Sequence, residues 1–342
     1  MKCTLILLIF LISFQSALAL DKHKFVFSTD NPEGSLHVFA LEKFSQLIDK
    51  YSKGRVSAVI HHRGSKKYPP FEGEEVNVSM ILNTKQISPI QGTVVAVGNL
   101  SLKVPILDFL MLPYVFPTIE SAKKLFGSDL MSVKINNILM EKYKIRVIAW
   151  LIGGFRHLTN SKRPVRSLAD LKNLVIRTPR NHIMTKTYKA FGAKVRPLSW
   201  DRVPKALGNK TIDGQENPYN VIFYSKFWEL HQKYLTKNGP FLWVGPIVIR
   251  VENYLELADD LKLAFDRAGK EAAQAQWEWI AKRNADFESQ LKLKGMQIIA
   301  PRNLENWIKA SEIVYKNVYE IVGYGDKAQG KKLVEDVLEI TR

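Results

Sequence analysis

Arg177 closes the apolar run Leu174-Val175-Ile176 and is followed by Thr178-Pro179, which sets a permanent cation at the carboxyl end of a strand. In open α/β sheets that edge faces the crevice where ligands bind, and a planar guanidinium recognises a carboxylate through two parallel charge-assisted hydrogen bonds. Arg156, in Gly153-Gly154-Phe155-Arg156 just after an apolar run ending at Ile152, occupies a comparable place. Position alone leaves each arginine open to a ligand contact or to a structural role. The carboxylate pairs Glu74-Glu75, Asp259-Asp260 and Asp213 with Glu216 have the right type for acid/base work, but on exposed helices and loops such pairs are ordinarily solvated charge. His61 and His62 are adjacent, so a strand sends them to opposite faces and they cannot chelate together. His157 and His182 lie near the arginine segments, where a lone histidine is as a rule a surface or hydrogen-bonded group. The sequence has no G-x-S-x-G elbow, phosphate loop, dinucleotide fingerprint or H-E-x-x-H pair, so neither a cofactor nor a metal is expected.

The elements that position these residues alternate. Lys24 to Thr29 reads as a strand. Leu36, Phe39, Ala40, Phe44, Leu47, Ile48 and Tyr51 then fall at helical spacing, with Ser35 placed to cap and Gly54 to terminate, and Arg55 to His61 reads as the next strand. Strand, crossover helix and strand make a parallel unit. Strands follow at Thr93 to Val97 and Val147 to Ile152, with a helical region between, from about Ile119 to Lys142. Strand Leu174 to Thr178, helix His182 to Phe191, strand Lys194 to Leu198 and helix Asp201 to Leu207 continue the alternation. Strand Val248 to Val251 leads into a long helical stretch, Tyr254 to Leu293, and two helices close the chain, Leu304 to Val322 and Ala328 to Leu338. The expectation is an α/β protein of two lobes.

The chain of 342 residues carries 50 Lys and Arg against 33 Asp and Glu, a formal net charge of +17. Its 46% hydrophobic and 24% charged residues are globular values, which exclude a disordered or polytopic membrane protein. Met1-Lys2, the apolar run Leu5 to Ile12 and Ala17-Leu18-Ala19 form a secretory signal, with cleavage expected after Ala19. Cys3, the single cysteine, leaves with it, so the mature protein has no disulfide and no thiol nucleophile. An exported protein meets little nucleic acid, and the lysine pairs Lys66-Lys67, Lys123-Lys124 and Lys331-Lys332 lack the interleaved aromatics of a single-strand platform. No nucleic-acid partner is expected.

Three segments together carry a resemblance: Val175 to Pro179, Phe191 to Trp200, and Thr211 to Pro218, which reads Thr-Ile-Asp-Gly-Gln-Glu-Asn-Pro. With the opening strand and helix containing His37, Ser52 to Arg55, Leu112 to Val115, Arg156 to Asn160 and Ser167 to Lys172, they extend over nearly the whole mature chain. The sequence resembles the solute-binding proteins of TRAP transporters, the periplasmic dicarboxylate-receptor type. The resemblance implies a two-lobed Venus-flytrap receptor with hinge strands and a long helix spanning both lobes, and Tyr254 to Leu293 suits that helix. It implies that Arg177 bridges the ligand carboxylate, that Asn217 helps to fix it, and that Arg156 is a further ligand-side arginine. Trp200 and Trp243 are candidate pocket walls, and Arg180 and Asn99 complete the candidate set. Asp201-Arg202-Val203-Pro204 departs from the family pattern. Gly92 to Asn99 carries no charged side chain where some members place an acidic contact, which points away from sialic acid, ectoine and ammonium-bearing ligands.

The resulting expectation is a periplasmic, non-enzymatic receptor that binds a small organic acid and delivers it to a TRAP permease, as a monomer or a homodimer. The division expected is signal 1–19, one lobe from 20–152 with about 243–282, and the other from 153–242 with about 283–342 and the C-terminal helices. A receptor serving an ABC importer or a sensor kinase has the same shape, and an exported hydrolase or lyase using Asp213 and Glu216 is a reading of another class.

Overall fold

The computed structural model describes residues 22–65 and 73–342. The signal segment, Cys3 and Lys66-Lys67 lie outside the described residues. The chain opens with β1 (His23–Pro32), α1 (Leu36–Tyr51) and β2 (Val56–Arg63), and β1 and β2 pair in parallel. The Ser35 side chain accepts from the Val38 N–H and caps α1, whose Leu36, Ala40, Leu41, Phe44 and Ile48 are buried on one face. There follow α2 (Glu74–Leu82), β3 (Gly92–Val94), the one-turn α3 (Val97–Leu100) and a 3-10 segment, Pro105–Met111. The strand expected to run to Val97 is shorter, because Val97 already begins α3.

The region expected to be helical from Ile119 to Lys142 is α4 (Ile119–Phe126), a π-helical turn (Leu130–Ile135) and α5 (Asn136–Tyr143). β4 (Ile145–Asn160) has 16 residues, more than twice the expected length. β5 (Val175–Thr178), α6 (His182–Ala190), β6 (Lys194–Pro197), α7 (Val203–Gly208), β7 (Gly214–Asn217) and α8 (Tyr219–Tyr224) form the next run. β8 (Tyr234–Arg250) is the second long strand. α9 (Val251–Leu255), the 35-residue α10 (Asp259–Leu293), β9 (Gln297–Ile299), α11 (Leu304–Ser311), α12 (Tyr319–Val322) and α13 (Lys327–Thr341) complete the chain.

The strand order is β2-β1-β3-β8-β4-β7-β5-β6, with β9 on β8. β4 and β8 pair antiparallel along nearly their whole length, from Ile145 opposite Arg250 to Asn160 opposite Tyr234. Their one half continues a sheet with β3, β1 and β2, and their other half one with β7, β5 and β6. Two α/β lobes therefore share two long strands. The β4–β8 register slips at Ile152/Gly154, the middle of the shared ribbon. There α10 is fastened to it: the buried Gln276 amide accepts from the Ile152 N–H (3.1 Å) and donates to the Ile152 carbonyl (2.9 Å), and Trp277 Nε1 donates to the Trp150 carbonyl (2.9 Å). α10 packs against α1 in one lobe and α8 in the other. The C-terminal helices also touch both halves, α13 on α4, α12 on the Pro105–Met111 segment and α11 on α6.

Candidate functional site

β4, β7 and β5 are neighbours in the sheet, and this adjacency brings the two arginines and the asparagine together. Arg177 stands opposite Gln215 on β7, and His157 opposite Asn217. β5 and β7 run parallel, so Arg177 and Asn217 emerge at the same strand ends. A cavity of about 50 Å3 lies over those ends, between the lobes. Arg156, Arg177, Asn217, Trp200, Trp243 and Asn99 all line it.

The two arginines are not equivalent. Arg156 is 6% exposed and held by Glu216, which is fully buried: Nε donates to Oε2 (2.5 Å), and Nη2 to Oε1 (2.9 Å) and to the Glu216 carbonyl (3.0 Å). The sequence places Arg156 just after a strand ending at Ile152. It lies inside β4, because Gly153-Gly154 marks a close approach within the strand and not a turn. A Cβ on Gly153 would come within 2.8 Å of the Trp243 ring, and Gly154 has φ +103°.

Arg177 is 2% exposed and has no carboxylate within ion-pair distance among the described residues. Its Nε (3.0 Å) and Nη2 (2.7 Å) both donate to the Leu198 carbonyl, and its guanidinium sits 5.8 Å from the Trp200 ring centre. Burial brings its pKa down to about 9, which leaves it a cation at neutral pH. It is a desolvated charge oriented by the backbone but not neutralised. Asn217 is positioned through its amide, which donates to Gln215 Oε1, while Gln215 Nε2 donates to Thr159 Oγ1 (2.9 Å).

The opposite wall contains residues that the candidate set lacks. Glu74 is 8% exposed and accepts from Asn99 Nδ2 (2.7 Å), the Ala96 N–H (3.0 Å) and Asn31 Nδ2 (3.5 Å). Burial raises its pKa above the ordinary carboxylate value. The acidic side chain missing from Gly92 to Asn99 is thus supplied by α2, against Asn99 itself. His37 is 3% exposed and neutral, its pKa pushed down to about 3 by burial, and neither ring nitrogen has a hydrogen-bond partner. Its ring meets Trp243 edge-on, with centres 4.9 Å apart. The start of an amphipathic helix hides such a histidine, and the Glu-Glu pair hides Glu74, since only tertiary packing separates Glu74 from the half-exposed Glu75.

Arg180 lies outside the cavity, as a correction to the candidate set. It is exposed and pairs with Glu75 across the lobes at 3.3 Å, because the chain turns outward after the cavity-lining Pro179. Beside it Asn181 Nδ2 donates to Asp108 Oδ1 (2.8 Å) and Ser101 Oγ (2.9 Å), and His182 Nε2 lies 3.4 Å from Asp108. His157 packs on Tyr219 away from the cavity and is held neutral, its pKa about 3 through burial. Asp213 is used structurally, accepting from the Val175 N–H.

The chain is 27% identical over 326 residues to the 2,3-diketo-L-gulonate-binding periplasmic protein YiaO of Escherichia coli, covering 95% of this chain and 94% of that one. It is 25% identical to the sialic acid-binding periplasmic protein SiaP of Vibrio cholerae, over 85% and 86% of the two chains. A crystal structure of a TRAP periplasmic solute-binding protein from Polaromonas sp. JS666, bound to D-erythronate, superposes with TM-score 0.81 at 25% identity, covering 94% of this chain and all of that one. The pattern that defines the DctP family, bacterial extracellular solute-binding protein family 7, matches residues 27–321, and the chain belongs to that family.

Proposed function

We propose that this protein is a periplasmic receptor that closes its lobes on a short hydroxylated organic acid and hands it to a TRAP-type permease, with no chemistry on the acid. The observation that carries the reading is Arg177, a buried cation on the wall of the inter-lobe cavity with no carboxylate within ion-pair distance among the described residues. A carboxylate there accepts from Arg177 and from the Asn217 amide. At the other pole the Glu74 carboxylate and the unsatisfied His37 nitrogens suit hydroxyl groups, which both donate and accept. A cavity of about 50 Å3 has room for only about four waters, which favours a short chain over a sugar of sialic acid size. The ligands named for the similar proteins, 2,3-diketo-L-gulonate and D-erythronate, are acids carrying hydroxyl groups. The N-terminal signal is read as cleaved after Ala19 on export.

A thermal-shift screen of hydroxylated monocarboxylates, followed by calorimetry, tests this. One such acid should bind, and Arg177→Ala should weaken it by roughly 30-fold or more, the cost of removing one partner of a buried charge pair. Unchanged affinity in that variant rejects the assignment.

A further inference from the structure

A second, larger cavity of about 580 Å3 opens between α4, the π-helical turn, the start of β4 and α10, and it shares no lining residue with the inter-lobe cavity. Its volume lies in the range of small-molecule sites. The floor is aromatic. Phe126 and Trp150 stack with ring centres 5.1 Å apart and planes 8° from parallel, and each keeps a sliver of accessible surface, 7% and 6%. Trp277 borders them, its ring oriented by its bond to the Trp150 carbonyl.

The rim is cationic. Lys123, Arg146 and Lys270 line the cavity against a single carboxylate, Asp266. Asp266 is already engaged by Arg146 Nη2 (2.7 Å) and by the Tyr254 hydroxyl (3.3 Å), and Lys123 is paired to Glu120. Lys270 has no carboxylate within ion-pair distance among the described residues. Arg146 Nε is enclosed and has no acceptor, although Nη1 reaches Met140 Sδ and the guanidinium rests on the Tyr254 ring. The π-helical turn that forms one wall is a geometry concentrated at functional sites.

We propose that this cavity is a second binding site, specific for a small aromatic carboxylate. Its ring covers the Phe126–Trp150 floor, and its carboxylate meets Lys270 on the cationic rim. A cationic ligand is repelled by the rim. A polyhydroxylated acid, the class assigned to the inter-lobe cavity, would desolvate its hydroxyls against ring faces that return no conventional hydrogen bond.

Equilibrium dialysis with 2-naphthoate tests the site on the purified protein. Binding should saturate at one molecule per chain and persist in Arg177→Ala, which disables the inter-lobe cavity. It should weaken by about tenfold or more in Lys270→Glu and in Gln274→Trp, both at exposed rim positions that leave the fold intact. The neutral analogue 2-naphthol should bind about tenfold more weakly than the acid. The proposal is overturned by the absence of saturable binding into the millimolar range, by equal binding in all variants, or by loss in Arg177→Ala with retention in the two rim variants.

Discussion

Arg156 and Arg177 are both buried guanidinium groups, yet Glu216 makes their energetics opposite. Removing Arg156 strands a fully buried carboxylate, which costs about 3–5 kcal/mol. Removing Arg177 deletes a charge that has no ion-pair partner in the empty protein. Arg156→Ala should therefore lower the melting temperature of the unliganded protein by roughly 6 °C or more, whereas Arg177→Ala should leave it unchanged or raise it. Differential scanning calorimetry decides, and equal losses would contradict the asymmetry. Glu74 adds a pH signature. Burial raises its pKa, so the folded, unliganded protein binds this proton more tightly than the unfolded chain, and stability falls as pH climbs from the ordinary carboxylate range towards the raised value. Glu74→Gln, whose amide can donate towards His37 Nε2 (3.8 Å from the Glu74 oxygen), should flatten that slope. Melts from pH 4 to 8 that keep the parental slope would exclude Glu74 as its source. Arg177 is legible in the sequence because a charge terminating an apolar strand has few places to go. Glu74 is not, because the groups that enclose it, Ala96 and Asn99, come from another element more than twenty residues away.

At the scale of elements, the alternation of strand and helix is readable over much of the chain, and the differences that matter for the site fall where one element does two jobs. Gly153-Gly154 punctuates the sequence like a turn, but β4 runs through it into the second lobe, and the glycines make room for Trp243 and Asn284. Likewise Gly214 to Asn217, for which the sequence pattern gives no strand, is β7, with every residue buried between β4 and β5. The start of α6 is another such element. Asn181 caps the helix by accepting from the Met184 N–H, and its Nδ2 reaches across the lobes to the buried Asp108. Asn181→Asp preserves the cap while setting two buried carboxylates against each other. Ligand affinity should fall by about tenfold or more at pH 7 and recover towards pH 4, as one carboxylate takes up a proton. The melting temperature of the unliganded protein, in which the Asn181–Asp108 contact is already formed, should fall at pH 7 and recover in the same way. Calorimetric titrations at the two pH values check this, and a pH-independent loss would show that the two carboxylates do not oppose each other.

For the whole molecule, the net charge of +17, or +16 without residues 1–19, is plain from composition, but its use is not. Folding consumes only part of the excess: Arg156 is neutralised by Glu216, and ion pairs such as Arg146–Asp266 and Lys237–Glu288 engage a fraction of the basic residues. The remainder gives the surface a positive field, while Arg177, the proposed anion contact, is itself buried. These two contributions separate kinetically. Surface charge acts on encounter and is screened over about 10 Å at 0.1 M salt, whereas a buried contact governs dissociation and is screened little. The association rate of an anionic ligand should therefore fall about tenfold or more between low salt and about 1 M, with a nearly constant dissociation rate. Stopped-flow tryptophan fluorescence reads both, since Trp200 and Trp243 line the cavity. A salt-independent association rate would leave the surface charge without a part in ligand capture, and a dissociation rate that climbs with salt would place the anion in contact with solvent, away from Arg177.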